Sequence, residues 1–168
     1  MSGSRLLVSL RAPAPPERTF ALFTEEIGLW WRPNPLFQFT EGRTGRLVFE
    51  PDWTTPGPGR PGRPSRLVEI YDDGATFVIG QVREWAPPHR LTFSWRQASF
   101  AAGQETEVRV RFEAVGAETR VTVEHWGWDA IPQDHAARHG FPLHIFQLRH
   151  AEWWRALLGS LTAWASSP

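Results

Sequence analysis

The chain contains no cysteine, which excludes a disulfide framework, a thiol nucleophile and a zinc–thiolate site. Lysine is missing as well. All 18 basic side chains are arginine, so Schiff-base chemistry and a Walker-type phosphate lysine are ruled out. There is no excess of either charge: 18 acidic residues balance the arginines, whereas a nucleic-acid binder normally carries a basic surplus to displace counterions from phosphates. No long hydrophobic run is present. Leu6–Leu10 is the only apolar stretch near the amino end, and Arg11 with Pro13, Pro15 and Pro16 stops it. A secretory core needs about 7–15 apolar residues and a membrane span about 20, so neither is expected and the expected setting is the cytoplasm.

What the chain does have is aromatic mass, with 10 tryptophans in 168 residues. That length fits one domain over residues 1–168, and such a chain typically buries roughly 70% of its unfolded surface. Leu and Val alternate over Arg5–Arg11 as in a first strand. Pro15-Pro16-Glu17 then opens a helix, and Phe20, Phe23, Ile27, Trp30 and Trp31 continue an amphipathic stripe to Trp31, broken near Thr24. Short strands are expected at Leu36–Thr40 and Gly45–Glu50. Residues 54–65 are nearly all Pro, Gly and Arg and read as a flexible loop, since no core can be built from them.

From Arg66 to Trp126 the pattern is a meander. Strand segments Arg66–Tyr71, Thr76–Trp85, Arg90–Gln97, Glu105–Ala114 and Thr119–Trp126 are separated by Gly- and Pro-containing turns, not by crossover helices. Leu91/Phe93/Trp95, Val108/Val110/Phe112 and Val121/Val123/His125 line one face. Thr92/Ser94/Arg96, Arg109/Arg111 and Thr122/Glu124 line the other, which is expected to be wet. Beyond Pro142 a stripe of Leu143, Phe146, His150, Trp153, Trp154, Leu157, Leu161 and Trp164 keeps helical spacing. A helix of about 20 residues reaches roughly 30 Å, enough to lie across the apolar face. The fold class is therefore α+β: a curved antiparallel sheet around a long C-terminal helix, with two short helices between strands one and two.

Several strings occur in a telling order: Ala14-Pro15-Pro16-Glu17, Trp30-Trp31-x-Pro33, Arg66-Leu67-Val68-Glu69-Ile70, Gly80-x-Val82-x-Glu84-x-x-Pro87-Pro88, Thr119-Arg120-Val121-x-Val123-x-His125-x-Gly127-Trp128 and Trp154-x-x-Leu157-Leu158. Together they resemble the START-like (SRPBCC, helix-grip) superfamily. Within it, the chain is similar to the branch named after the activator of the heat-shock-protein-90 ATPase. The resemblance implies a cavity between sheet and long helix that takes an apolar molecule such as a lipid or polyketide; some members of the superfamily are cyclases or hydrolases. The co-chaperone itself has an additional N-terminal domain for which these 168 residues leave no room, so chaperone partnership ranks behind ligand binding.

Trp30, Trp31, Phe93, Trp95, Trp128, Trp153 and Trp154 lie on elements that converge between sheet and helix, and rings of this kind line hydrophobic ligand sites. A large ring in a curved sheet is also a packing solution in its own right. His125 points inward with Val121 and Val123, placed to orient a ligand oxygen or to act as acid or base. His150 is on the apolar stripe of the long helix. These nine are the expected ligand-binding residues, facing a cavity of roughly 300 Å³ or more. Arg83 and Glu84 sit where a strand bulge can turn a side chain inward. His135 and His139 have the i, i+4 spacing of a chelating pair, but no H-E-x-x-H string supports a metal, and no cofactor is expected. No G-x-S-x-G, G-x-G-x-x-G or Walker string is present. The reading is a non-enzymatic binder of a small hydrophobic or aromatic molecule, compatible with a homodimer. The alternatives are a protein-docking module with exposed tryptophans and a cyclase or hydrolase using His125 with His150 or Arg83.

Overall fold

The computed structural model describes residues 4–50 and 64–166. Within them, seven strands form one curved antiparallel sheet: β1 (Arg5–Ala12), β2 (Arg46–Glu50), β3 (Arg66–Ile70), β4 (Thr76–Ala86), β5 (Arg90–Trp95), β6 (Thr106–Val115) and β7 (Glu118–Trp126). Their spatial order is β1-β7-β6-β5-β4-β3-β2. Helices α1 (Pro16–Glu25) and α2 (Ile27–Trp30) fill the connection from β1 to β2, and α3 (Leu143–Ala165) ends the chain. The architecture is the expected helix grip. With 23 residues, α3 is about 35 Å long and spans the sheet's apolar face.

Period-two alternation decides what that face holds. Register places Leu6, His125, Val108, Phe93 and Val82 in one cross-strand row, and Val8, Val123, Val110 and Leu91 in the next. All are buried, and burying each large apolar side chain contributes roughly 1.5–3 kcal/mol. Across this face α3 lays Phe146, His150, Trp153, Trp154, Leu157, Leu158 and Leu161. On the outer face Ser94, Thr122 and Glu124 are buried, against the expectation of a wet surface. The reason at Glu124 is a lid of neighbours: Arg5 and Arg111 pair with its carboxylate, and Trp126 Nε1 donates to it at 3.3 Å.

β4 joins two halves of the sheet, pairing with β3 through its first half and with β5 through its second. Gly80 sits at the change-over. A Cβ there would lie 1.6 Å from the Ser94 carbonyl oxygen, so only glycine allows the strands to approach this closely. The expected break between the first two helices occurs at Glu26, two residues after Thr24, whose hydroxyl donates back to the Phe20 carbonyl at 2.8 Å.

Leu36–Thr40 is not a strand. Asn34 Oδ1 accepts from Leu36 N–H at 2.8 Å, and Phe37 N–H donates to the Asn34 carbonyl at 3.2 Å. These local turns, between Pro33 and Pro35, take the backbone groups a strand would need. The expected loop at 54–65 lies outside the described residues apart from Pro64 and Ser65. No helix among the described residues is long and apolar enough to cross a membrane.

Candidate functional site

His125 is completely buried, and its hydrogen bonds define its tautomer. Trp154 Nε1 lies 3.2 Å from His125 Nδ1, and an indole nitrogen can only donate. Nδ1 is therefore the lone pair and Nε2 carries the proton. That proton goes to Thr106 Oγ1 at 2.7 Å, and the Thr106 hydroxyl passes its own to the Trp95 carbonyl at 3.2 Å. His150 Nε2 lies 3.2 Å from the same Nδ1 and shares its single lone pair with Trp154, and His150 Nδ1 has no partner among the described residues. Both imidazoles are neutral. Burial drives the His125 pKa well below the ordinary histidine value, with the neighbouring His150 adding to it. Burial alone lowers His150 to about 3.

Aromatic rings surround this pair. Trp95 and Trp128 approach His125 with centroids 5.0 and 5.3 Å away, and Trp128 and Phe37 approach His150 at 5.2 and 4.8 Å. Trp31 bridges outward, 5.7 Å from Trp30, 5.6 Å from Trp154 and 5.7 Å from Trp153. The rings mostly meet edge to face or tilted, the arrangement their quadrupoles favour. Three polar atoms in this shell have no hydrogen-bond partner: Trp95 Nε1, Trp128 Nε1 and His150 Nδ1. Each such buried group costs about 1–3 kcal/mol, so the shell is not optimised as a plain core.

All nine residues expected to form the site are buried, and ring contacts link eight of them, Phe93 being the exception. Trp30 serves the local chain, donating from Nε1 to the Leu22 carbonyl at 2.9 Å. Phe93 packs on Phe49 at 5.8 Å. The rings touch one another and fill the space between sheet and α3, in place of the large cavity expected from the sequence. Shallower hollows of about 460 and 690 Å³ lie on the surface against Phe37, Phe39 and Trp153, and a smaller opening adjoins the end of the shell. There a cleft of about 40 Å³ is lined by Trp31, Phe37, Phe39 and Trp153 on one side and by Leu47, Glu69, Arg43 and Gly45 on the other. At 10–15 Å³ per water, it has room for about three.

The polar wall of that cleft was not among the expected site residues. Glu69, only 4% exposed, accepts from Tyr71 O–H at 2.7 Å and from Gly45 N–H at 3.0 Å. The Tyr71 hydroxyl has one proton, which goes to the carboxylate; Thr40 Oγ1, 2.6 Å away, is then its donor. Burial pushes Tyr71 up to about 12, with the Glu69 carboxylate adding to the shift. The Arg43 guanidinium lies 4.1 Å above the Tyr71 ring and reaches Asp73 at 2.8 Å. The available signal was period-two alternation, which puts Glu69 on the same strand face as the buried Leu67; in the structure it pairs with Leu47.

Other polar residues are placed elsewhere. The expected β-bulge is present between Val82 and Glu84, but Arg83 points outward and pairs with Glu105 and Glu107. His135 Nδ1 accepts from Ala137 N–H at 3.0 Å, and His139 bonds the Leu36 carbonyl, so the two do not face each other. Among the described residues no three His, Asp or Glu side chains come together to hold a metal.

A curved sheet gripping one long helix over an aromatic interior defines a START-like, helix-grip protein. Residues 13–165 match the model of the family described as Activator of Hsp90 ATPase homolog 1-like protein, and the chain belongs to that family. Comparison with curated proteins finds no match. Among solved structures, a START superfamily protein from Mycobacterium smegmatis is similar at 16% identity and TM-score 0.61, covering 97% of both chains. An Hsp90 activator from Plasmodium falciparum is similar at 17% identity and TM-score 0.58, covering 99% of both. An anthrahydroquino-γ-pyrone synthase is similar at 26% identity and TM-score 0.51, covering 95% of both.

Proposed function

We propose that this protein binds a small hydrophobic or aromatic molecule, lipid- or polyketide-like, between the sheet and α3, entering through the cleft beside Trp31 and Trp153. The observation that carries the reading is the set of unpartnered ring nitrogens on Trp95, Trp128 and His150 inside an otherwise aromatic shell. Such groups are the few polar contacts that orient a ligand in an apolar site. Family membership and the 26% identity to an anthrahydroquino-γ-pyrone synthase support a polycyclic, polyketide-like occupant over a simple fatty acid. The cleft as it stands is too small for such a molecule, so entry requires residues 33–45 to move outward.

Native mass spectrometry of freshly purified protein, together with tryptophan-fluorescence titration of flat polycyclic aromatics, tests this. A copurified small-molecule mass, or saturable quenching with a raised Tm, is the expected result. No added mass and no saturable response to any of them would overturn the reading.

The synthase match favours a second reading, that the bound molecule is also turned over. Both nitrogens of His125 are already engaged. On this reading the base is Nδ1 of His150, and His150→Phe abolishes turnover while binding persists. The docking-module alternative expected exposed tryptophans, and every described tryptophan is buried or half-buried. The exposed leucines Leu7, Leu29 and Leu148 lie on three different elements, β1, α2 and α3.

A further inference from the structure

We propose that the Glu69–Arg43 wall of the cleft is the polar anchor of the site, and that its ligand is a planar aromatic bearing both a free hydroxyl and a ring carbonyl. This rests on the binding function above and names the chemical class of the molecule bound.

The argument begins with what Glu69 lacks. A carboxylate offers about four acceptor positions, and Glu69 uses two, on Tyr71 O–H and Gly45 N–H. Among the described residues no arginine or histidine forms an ion pair with it, although it is almost entirely buried. A buried carboxylate with spare lone pairs calls for another donor. Glu69 lines the cleft, so a ligand there can supply that donor. Tyr71, on the sheet side of the cleft, donates to one carboxylate oxygen and holds it in place.

Arg43 supplies the complementary group. Its contact with Asp73 and its seat on the Tyr71 ring leave further guanidinium N–H groups without a protein acceptor among the described residues. Arg43 lines the same cleft as Glu69. An acceptor and a donor that line one cleft with the rings of Trp31, Phe39 and Trp153 read one hydroxyl and one carbonyl on a flat apolar body. A cation would be repelled by Arg43, and a carboxylate by Glu69. Gly45 is part of the device. A Cβ there would sit 2.3 Å from the Ile70 carbonyl oxygen, so only glycine lets this backbone approach β3 and offer its N–H to Glu69.

The test compares 2-hydroxyanthraquinone, 2-methoxyanthraquinone and unsubstituted anthraquinone by fluorescence titration against the wild-type chain, Glu69→Gln and Arg43→Gln. Hydrogen bonds to charged groups predict that the hydroxyl compound binds at least ~10-fold tighter than either control. Glu69→Gln brings the three within about twofold, and Arg43→Gln weakens all three by about 5- to 10-fold through the shared carbonyl. Arg43 is surface-placed, so that variant tests the proposal even where Glu69→Gln fails to fold. A hydroxyl preference below about twofold in the wild type overturns the proposal, as does a selectivity and affinity unchanged in the folded variants. Binding of all three with equal affinity removes the anchor and leaves the binding function standing. Binding of none removes both.

Discussion

Protonating His125 or His150 would place a charge among rings with no acid nearby. The groups that face the pair are Thr106, Trp95, Trp128, Trp154, Phe37, Phe146 and Trp153, none of them charged. Both pKa values are depressed in the fold, so the unfolded chain binds these protons first and stability falls as pH drops below the unfolded value of about 6.5. Above that value their contribution is complete. Between pH 7 and 5 the two together remove roughly 4 kcal/mol, a large share of a typical total of 5–15. Urea denaturation across this range is expected to show the loss, and His150→Phe to remove about half of the slope. A slope unchanged in that variant would mean the histidines are not its source. Thr106→Val leaves the His125 Nε2 proton without an acceptor and is expected to cost about 1–3 kcal/mol in the same assay. His125 itself was legible from strand alternation. Its partner Thr106 was not, because the contact crosses from β7 to β6 and only register brings the two together.

At the scale of elements, alternation and helical spacing made the sheet and α3 readable, because each buries one face and the period states which. Failure came where local hydrogen bonds override the period. Leu36–Thr40 alternates like a strand, yet Asn34 turns it into a loop. Residues 131–141 have no period at all, and what orders them is a buried arginine. Arg138 donates to the Ile131 and Phe141 carbonyls, both at 2.7 Å, and its guanidinium lies 5.5 Å from the Phe146 ring. Nothing in the spacing of Arg138 announces this. Arg138→Met keeps the apolar stem but strands two carbonyls, so limited proteolysis is expected to cut between 131 and 141 while the sheet survives. Resistance equal to wild type would show that the arginine is dispensable there. Gly80→Ala acts on the sheet itself. Its Cβ meets backbone and not a flexible side chain, so a loss of about 3 kcal/mol or more in denaturant titrations is expected.

For the molecule as a whole, the closed cleft and the filled interior determine how a ligand gets in. A cavity of about 40 Å³ must grow several-fold to admit a three-ring molecule, since small-molecule sites run from roughly 300 Å³ upward. The sheet is held by backbone ladders between every pair of neighbouring strands, broken only at the two register shifts of β4, so it yields less readily. Residues 33–45 can. Their polar ties to the rest are few: Ala98 N–H to the Phe39 carbonyl at 2.7 Å, His139 to the Leu36 carbonyl, Tyr71 with Thr40, Gly45 with Glu69, and Arg43 with Asp73 and the Tyr71 ring. Segments with few tertiary hydrogen bonds open below the global free energy, so the amides of 34–45 are expected to exchange hydrogen faster than those of β5–β7. A ligand that occupies the opened cleft reverses this. At a concentration 100 times Kd it adds about 2.7 kcal/mol, which in a chain of this size raises Tm by roughly 5–10 °C. Protection gained in 34–45 and around Trp153, with little change in the outer strands, is the pattern that an opening cleft predicts. Ligand-induced protection confined to the far end of the sheet, near β1 and the C-terminal turns of α3, would place the entrance elsewhere and refute this route.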